Sequence, residues 1–114
     1  MFSAEEARRG GLVSQVVPGE ALLDRAHEIA REIADHTSAI SVALSRQMIW
    51  RMLGADHPMA AHRIDSRGIQ AMGGSADAHE GVAAFLEKRP ARFTMRPSAD
   101  MPAFFPWWQE PDFE

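Results

Sequence analysis

Glu80-Gly81-Val82-Ala83-Ala84-Phe85-Leu86-Glu87-Lys88-Arg89-Pro90-Ala91-Arg92-Phe93 is the stretch on which the reading of this 114-residue chain turns. Val82, Ala83, Phe85 and Leu86 carry a helix, and Pro90, which lacks an N–H and clashes with the turn before it, breaks it. The stretch holds Lys88, the only lysine in the sequence, with Arg89, Arg92 and Arg96 close behind. Taken as residues alone, Phe85 belongs to a core and Lys88 is a cation favoured by the negative end of the helix dipole. The same four cations form the one basic cluster of the chain, where a multiply charged phosphate ligand is expected.

Toward the N-terminus, Gly73-Gly74 stops a preceding helix and Ser75 or Asp77 opens the one just described. That preceding helix is expected from Pro58 to about Met72, with Asp56 as its cap and proline in the first turn, where the missing N–H costs nothing. Before it, Thr37 or Ser38 caps a helix reaching about Leu53, in which Ile40, Leu44 and Met48 share one face and Val42, Ile49, Met52 and Leu53 occupy neighbouring ones. So wide an apolar arc implies burial between two surfaces. Glu20 to His36 reads as a surface helix, with Leu22, Leu23, Ala26, Ile29, Ala30 and Ile33 on one stripe. A short leading helix is expected from the capping-box pair Ser3 and Glu6, stopped by Gly10-Gly11. Leu12, Val13, Val16 and Val17 then read as a brief strand ended by Pro18-Gly19, although one strand cannot stand alone. The expected class is mainly α: about four helices, one short N-terminal strand and an extended aromatic tail.

Composition bounds the function. The 46% hydrophobic content is enough for a core, and with Cys 0 there is no disulfide, thiolate metal site or cysteine nucleophile. A reducing compartment, the cytoplasm by default, suits such a chain. The longest apolar run, Val82 to Leu86, is far below the ~20 residues that span a bilayer. The N-terminus has neither the basic nor the apolar stretch of a targeting segment. The net charge of -4 comes entirely from the acidic end, leaving 12 basic and 12 acidic side chains in residues 1–96. That balance is not the footprint of a nucleic-acid binder.

Two segments in order resemble the crotonase superfamily, the enoyl-CoA hydratases and isomerases. Phe2-Ser3-Ala4-Glu5-Glu6-Ala7-Arg8-Arg9-Gly10-Gly11-Leu12-Val13, then Val16-Val17-Pro18, is similar to the stretch that leads into the family's C-terminal helices. Residues 80–93 are similar to its closing signature, Glu-Gly-x-x-Ala-Phe-x-x-Lys-Arg followed by proline and phenylalanine. The resemblance covers residues 2–93 and implies the C-terminal helical region of a crotonase-like fold. It divides the chain into the end of the core over 1–19, a helical oligomerisation domain over 20–93 and a Pro/aromatic acidic tail over 94–114.

What the resemblance implies about chemistry is chiefly binding. The family's oxyanion-hole N–H donors and catalytic glutamates lie in an N-terminal half that matches nothing here, so no catalytic residue carries over, and Glu5 and Glu6 do not inherit the role. The C-terminal helices build a trimer interface and help to cover acyl-CoA. By motif position, Phe85 and Lys88 fall where family members reach the nucleotide end of CoA: a ring can abut adenine and an ammonium suits phosphate. Acyl-CoA or CoA and further copies of the chain are thus the expected partners, with no cofactor, no nucleic acid and no membrane. The parent reaction by family frequency is hydration of a 2-enoyl-CoA. A non-catalytic helical module that self-associates or binds a partner is the other reading.

No metal site is expected. His57 and His62, with Asp65 nearby, are five residues apart, which rotates the pair by about 140° on a helix rather than aligning it. Five of the seven prolines lie between residues 90 and 111, among Phe93, Phe104, Phe105, Trp107, Trp108 and Phe113. This run reads as an arm that lays rings on a protein surface, since membrane insertion normally adds basic residues and these are flanked by acids.

Overall fold

A computed structural model describes residues 1–110 and Asp112, so Phe113 of the aromatic tail lies outside the described residues. The protein is mainly helical: α1 (Ala4–Arg9), α2 (Leu22–His36), α3 (Ala39–Met52), α4 (Pro58–Gly73) and α5 (Ala76–Glu87), with a short 3-10 turn at Gly19–Ala21. These are four long helices behind the short leading one. The helices belong to two compact units, Met1–Ile33 and Ala34–Glu114.

In the first unit Ser3 and Glu6 form the expected capping box. The Glu6 N–H donates to Ser3 Oγ at 3.2 Å, and the Ser3 N–H donates to the Glu6 carboxylate at 2.7 Å. The Ser3 backbone N–H, and then the Ser3 hydroxyl, which donates to the same carboxylate at 2.9 Å, hold the Glu6 carboxyl below its ordinary value. Gly10 and Gly11 end the helix as a Schellman turn. Gly11 has φ 76°, which only glycine adopts cheaply, and the Leu12 N–H reaches back to the Ala7 carbonyl at 2.9 Å.

The strand expected over residues 12–17 does not form, and no strand occurs among the described residues. Leu12, Val13 and Val16 are exposed instead. β-Branched residues supply a local preference for extended backbone, but a ladder needs a second strand to pair with, and none is present among the described residues.

In the second unit α4 packs against both α3 and α5. Ile40 and Leu44 of α3 are buried, as is Ala84 of α5. The wide apolar arc of α3 is therefore covered on one side only: Val42, Ile49, Trp50 and the following Leu53 remain exposed. α4 is capped by His57 rather than Asp56, because the imidazole Nδ1 accepts the Met59 N–H at 3.1 Å. This gives His57 a structural task, and Pro58 takes the first helical position as expected. Ser75, not Asp77, caps α5 by accepting the Ala78 N–H at 3.1 Å.

Asp77 has a different role. It is 2% exposed and accepts three bonds: from the Ser38 hydroxyl at 2.6 Å, the Thr94 N–H at 3.0 Å and the Met95 N–H at 3.2 Å. One carboxylate thus ties the start of α3 and the segment after α5 to the first turn of α5. Ser38 sits at the N-cap position of α3 but spends its hydroxyl on Asp77. Phe93 lies over α5 at Gly81, where a Cβ would be 3.6 Å from the ring, an ordinary contact distance.

Residues 101–110 fold back on α3 and α4. Trp108 lies under the guanidinium of Arg51 at 4.3 Å and Phe104 under that of Arg67 at 4.5 Å. No helix among the described residues is long and apolar enough to cross a membrane.

Candidate functional site

The C-terminal end of α5 gathers the residues singled out by the closing motif. Phe85 is 82% exposed, so its core reading is corrected: on α5 it faces outward with Val82 and Leu86, while Ala84 takes the buried position. Helical spacing identifies an apolar face but cannot say whether anything in the same chain covers it.

Lys88 closes the helix in an unusual backbone state. With φ 54° and ψ 40° it is the one non-glycine residue at positive φ among those described. Its N–H donates to the Phe85 carbonyl at 3.3 Å and the Arg89 N–H donates to the Ala84 carbonyl at 3.0 Å. This is again a Schellman turn, with lysine where glycine is usual. Left-handed backbone costs a residue bearing a Cβ about 1 kcal/mol. The Cα–Cβ bond of Lys88 accordingly leaves the helix end in a direction that a continuing helical residue would not take.

The basic cluster divides in two. Arg89 is neutralised: it places Nη1 and Nη2 on the two oxygens of Glu80 at 2.6 and 2.9 Å, and its Nε reaches Glu87 at 2.6 Å. Glu80 also accepts the Arg92 N–H at 2.7 Å. Hydrogen bonding from Arg89, then from Arg92, holds the Glu80 carboxyl down at about 2, and the same pairing raises Arg89. Lys88, by contrast, has no carboxylate partner among the described residues. Its neighbours hold the turn in shape while it stays available to an anion.

A groove of about 450 Å³ runs beside α5, lined by Ser38, Ser75, Asp77, Gly81, Val82 and Phe93 among others. Neither Phe85 nor Lys88 lines it. The motif residues therefore form an exposed edge, able to hold a flat ring and an anionic group but not to enclose a substrate. His57 is occupied as a helix cap and His62 is exposed, and no group of three or more potential metal-binding side chains occurs among the described residues. The residues that organise this corner, Asp77 and Glu80, are not apparent from sequence, because their partners lie 39 and 9 positions away, outside helical spacing. The nearest signal is Asp77 as an alternative cap.

The fold is that of a mainly helical region, and its sequence gives it a family. The enoyl-CoA hydratase/isomerase family model matches residues 1–96, and the chain belongs to that family. Enoyl-CoA hydratase ACTT3 of Alternaria alternata is 40% identical over 94 residues, covering 82% of this chain and 31% of that protein. The 1,2-epoxyphenylacetyl-CoA isomerase of Escherichia coli strain K12 is 38% identical over 95 residues, covering 82% of this chain and 35% of its own length. A solved structure of the enoyl-CoA hydratase/isomerase class from Mycobacterium abscessus superposes with a TM-score of 0.74 at 40% identity, over 83% of this chain and 39% of that one. The chain thus spans about a third of the length of the curated relatives it matches.

Proposed function

We propose that this chain is the assembly and acyl-CoA-covering region of an enoyl-CoA hydratase/isomerase-like enzyme. Residues 20–93 serve as the oligomerisation domain, behind the end of the catalytic core and ahead of the aromatic tail. Phe85 offers its ring to the adenine end of CoA and Lys88 its ammonium to the phosphates. The observation that carries this reading is the exposed Phe85 beside Lys88, which sits in a left-handed turn and has no carboxylate partner among the described residues. The reaction of the whole enzyme is hydration of a 2-enoyl-CoA, a choice supported by the hydratase among its relatives. No catalytic glutamate or oxyanion-hole donor is assigned to these residues, so the 114-residue chain is expected to be inactive alone. The absence of cysteine suits a cytoplasmic setting.

Calorimetric titration of CoA into the chain and into its Lys88→Ala variant tests the assignment. Binding by the first that weakens in the second is the expected result; equal heats in both would remove Lys88 from the site.

A second reading is favoured by the uncovered side of α3, where Val42, Ile49, Trp50 and Leu53 are exposed together. There the chain acts as a helical self-association module without any ligand. Silence toward CoA combined with a concentration-dependent mass would favour it.

A further inference from the structure

We infer that residues 101–110 form a releasable strap that ties α3 to α4, with Arg51 as its catch. The strap lies beyond the family match, which ends at residue 96. It is held at two points on two different helices: Arg67 of α4 over Phe104, and Arg51 near the end of α3 over Trp108. Arg51 is used twice, because its guanidinium also pairs with the Glu110 carboxylate, which in turn accepts the Trp108 Nε1–H at 2.6 Å. Stacking and ion pair therefore close the same contact.

The rings are organised among themselves. Phe105 meets Trp108 edge-on at 5.2 Å and Trp107 at 6.0 Å, and the two indoles meet at 4.9 Å and 83°. Such edge-to-face pairs are favourable by themselves, so the cluster adds a cohesive block to the segment. The attachment of that block to the helices is weaker. Glu110 is 65% exposed, and exposed ion pairs contribute little and are screened by salt. In addition, the Trp107 Nε1–H is buried without a hydrogen-bond partner among the described residues, a penalty relieved when the strap lifts. A cohesive block on a weak, charge-dependent attachment is the arrangement of a latch. When it lifts, Arg51 of α3 and Arg67 of α4 lose their ring contacts and an aromatic surface becomes available, while the two helices stay packed on each other.

The test uses the full chain carrying Trp50→Phe, since Trp50 is exposed and would add an unrelated signal. The Trp107–Trp108 pair should give an exciton couplet in circular dichroism, which reports the ring block itself, and the attachment should show as slow hydrogen exchange over 104–110. Arg51→Ala should shift the emission to the red and speed exchange in the strap while the couplet and the helical signal stay. Should that variant lose its helices, Glu110→Ala removes the ion pair from the strap side and should speed exchange there and abolish its dependence on salt. Exchange over 104–110 that is fast in the parent chain, or unchanged in either folded variant, would overturn the inference.

Discussion

The Ser38 hydroxyl donates to Oδ2 of Asp77 at 2.6 Å, joining the first residue before α3 to the first turn of α5 across 39 positions of sequence. Because the other carboxylate oxygen holds two backbone N–H groups of the segment after α5, three parts of the helical unit meet at one buried charge. Burial alone would raise the Asp77 carboxyl, and the bonds from Ser38, Thr94 and Met95 outweigh it, so the net direction is downward.

Asp77→Ala should destabilise the protein by about 2–3 kcal/mol, because it strands two backbone donors and one hydroxyl at a buried position. Asp77→Asn keeps one acceptor oxygen for the backbone and an amide able to donate to Ser38, and should cost about half as much. Urea denaturation of the three proteins checks both the direction and the order.

Glu80 gives the stability an acid limb. Its folded carboxyl sits at about 2, held by Arg89 and Arg92, whereas an unperturbed glutamate titrates at about 4.3. The unfolded chain therefore binds the proton more tightly. The contribution is complete above the ordinary glutamate range and is lost as pH falls through it toward about 2. Glu80→Gln should flatten that part of the pH profile, measured as the urea midpoint over a pH series. What then remains of the limb is due to Asp77, Glu6 and Glu110, which are also lowered.

Helix ends were legible where the signal is local. Ser3 with Glu6, Pro58, and Ser75 after Gly73-Gly74 each act within one turn of themselves, and each end lies within a residue or two of expectation. No strand forms over 12–17 because β-branching is local but pairing is not. Phe85 lies outside the core, which periodicity does not reveal because it orients a face without saying what lies opposite. The left-handed turn at Lys88 was hidden for a third reason: its usual signal is glycine, and the chain places lysine there. The Asp77 and Arg51 contacts join residues far apart in sequence, so no spacing announces them.

Lys88→Gly separates backbone from side chain. Glycine relieves the left-handed penalty, so stability should rise by about 0.5–1 kcal/mol. Lys88→Ala keeps a Cβ in the same backbone state and should leave stability near its original value. Both variants remove the ammonium and should weaken CoA equally. If the side chain instead serves only the helix dipole, each variant should fall a few tenths of a kcal/mol short of those values and leave CoA binding unchanged. Thermal melts with and without CoA distinguish the two.

Phe85→Ala completes the argument for the exposed edge. The ring is 82% exposed, so its removal forfeits almost no burial, and stability should stay within about 0.5 kcal/mol. A base stacked on an aromatic ring is worth about 1–3 kcal/mol, which predicts a loss of CoA affinity of about fivefold to about 150-fold. Dephospho-CoA, which keeps the adenine and loses the ribose phosphate, should be affected by Phe85→Ala to the same degree as CoA. Titrating both ligands into wild type and variant is decisive for the ring: unchanged affinities would remove adenine contact from Phe85 and leave it as packing surface shared with Val82 and Leu86.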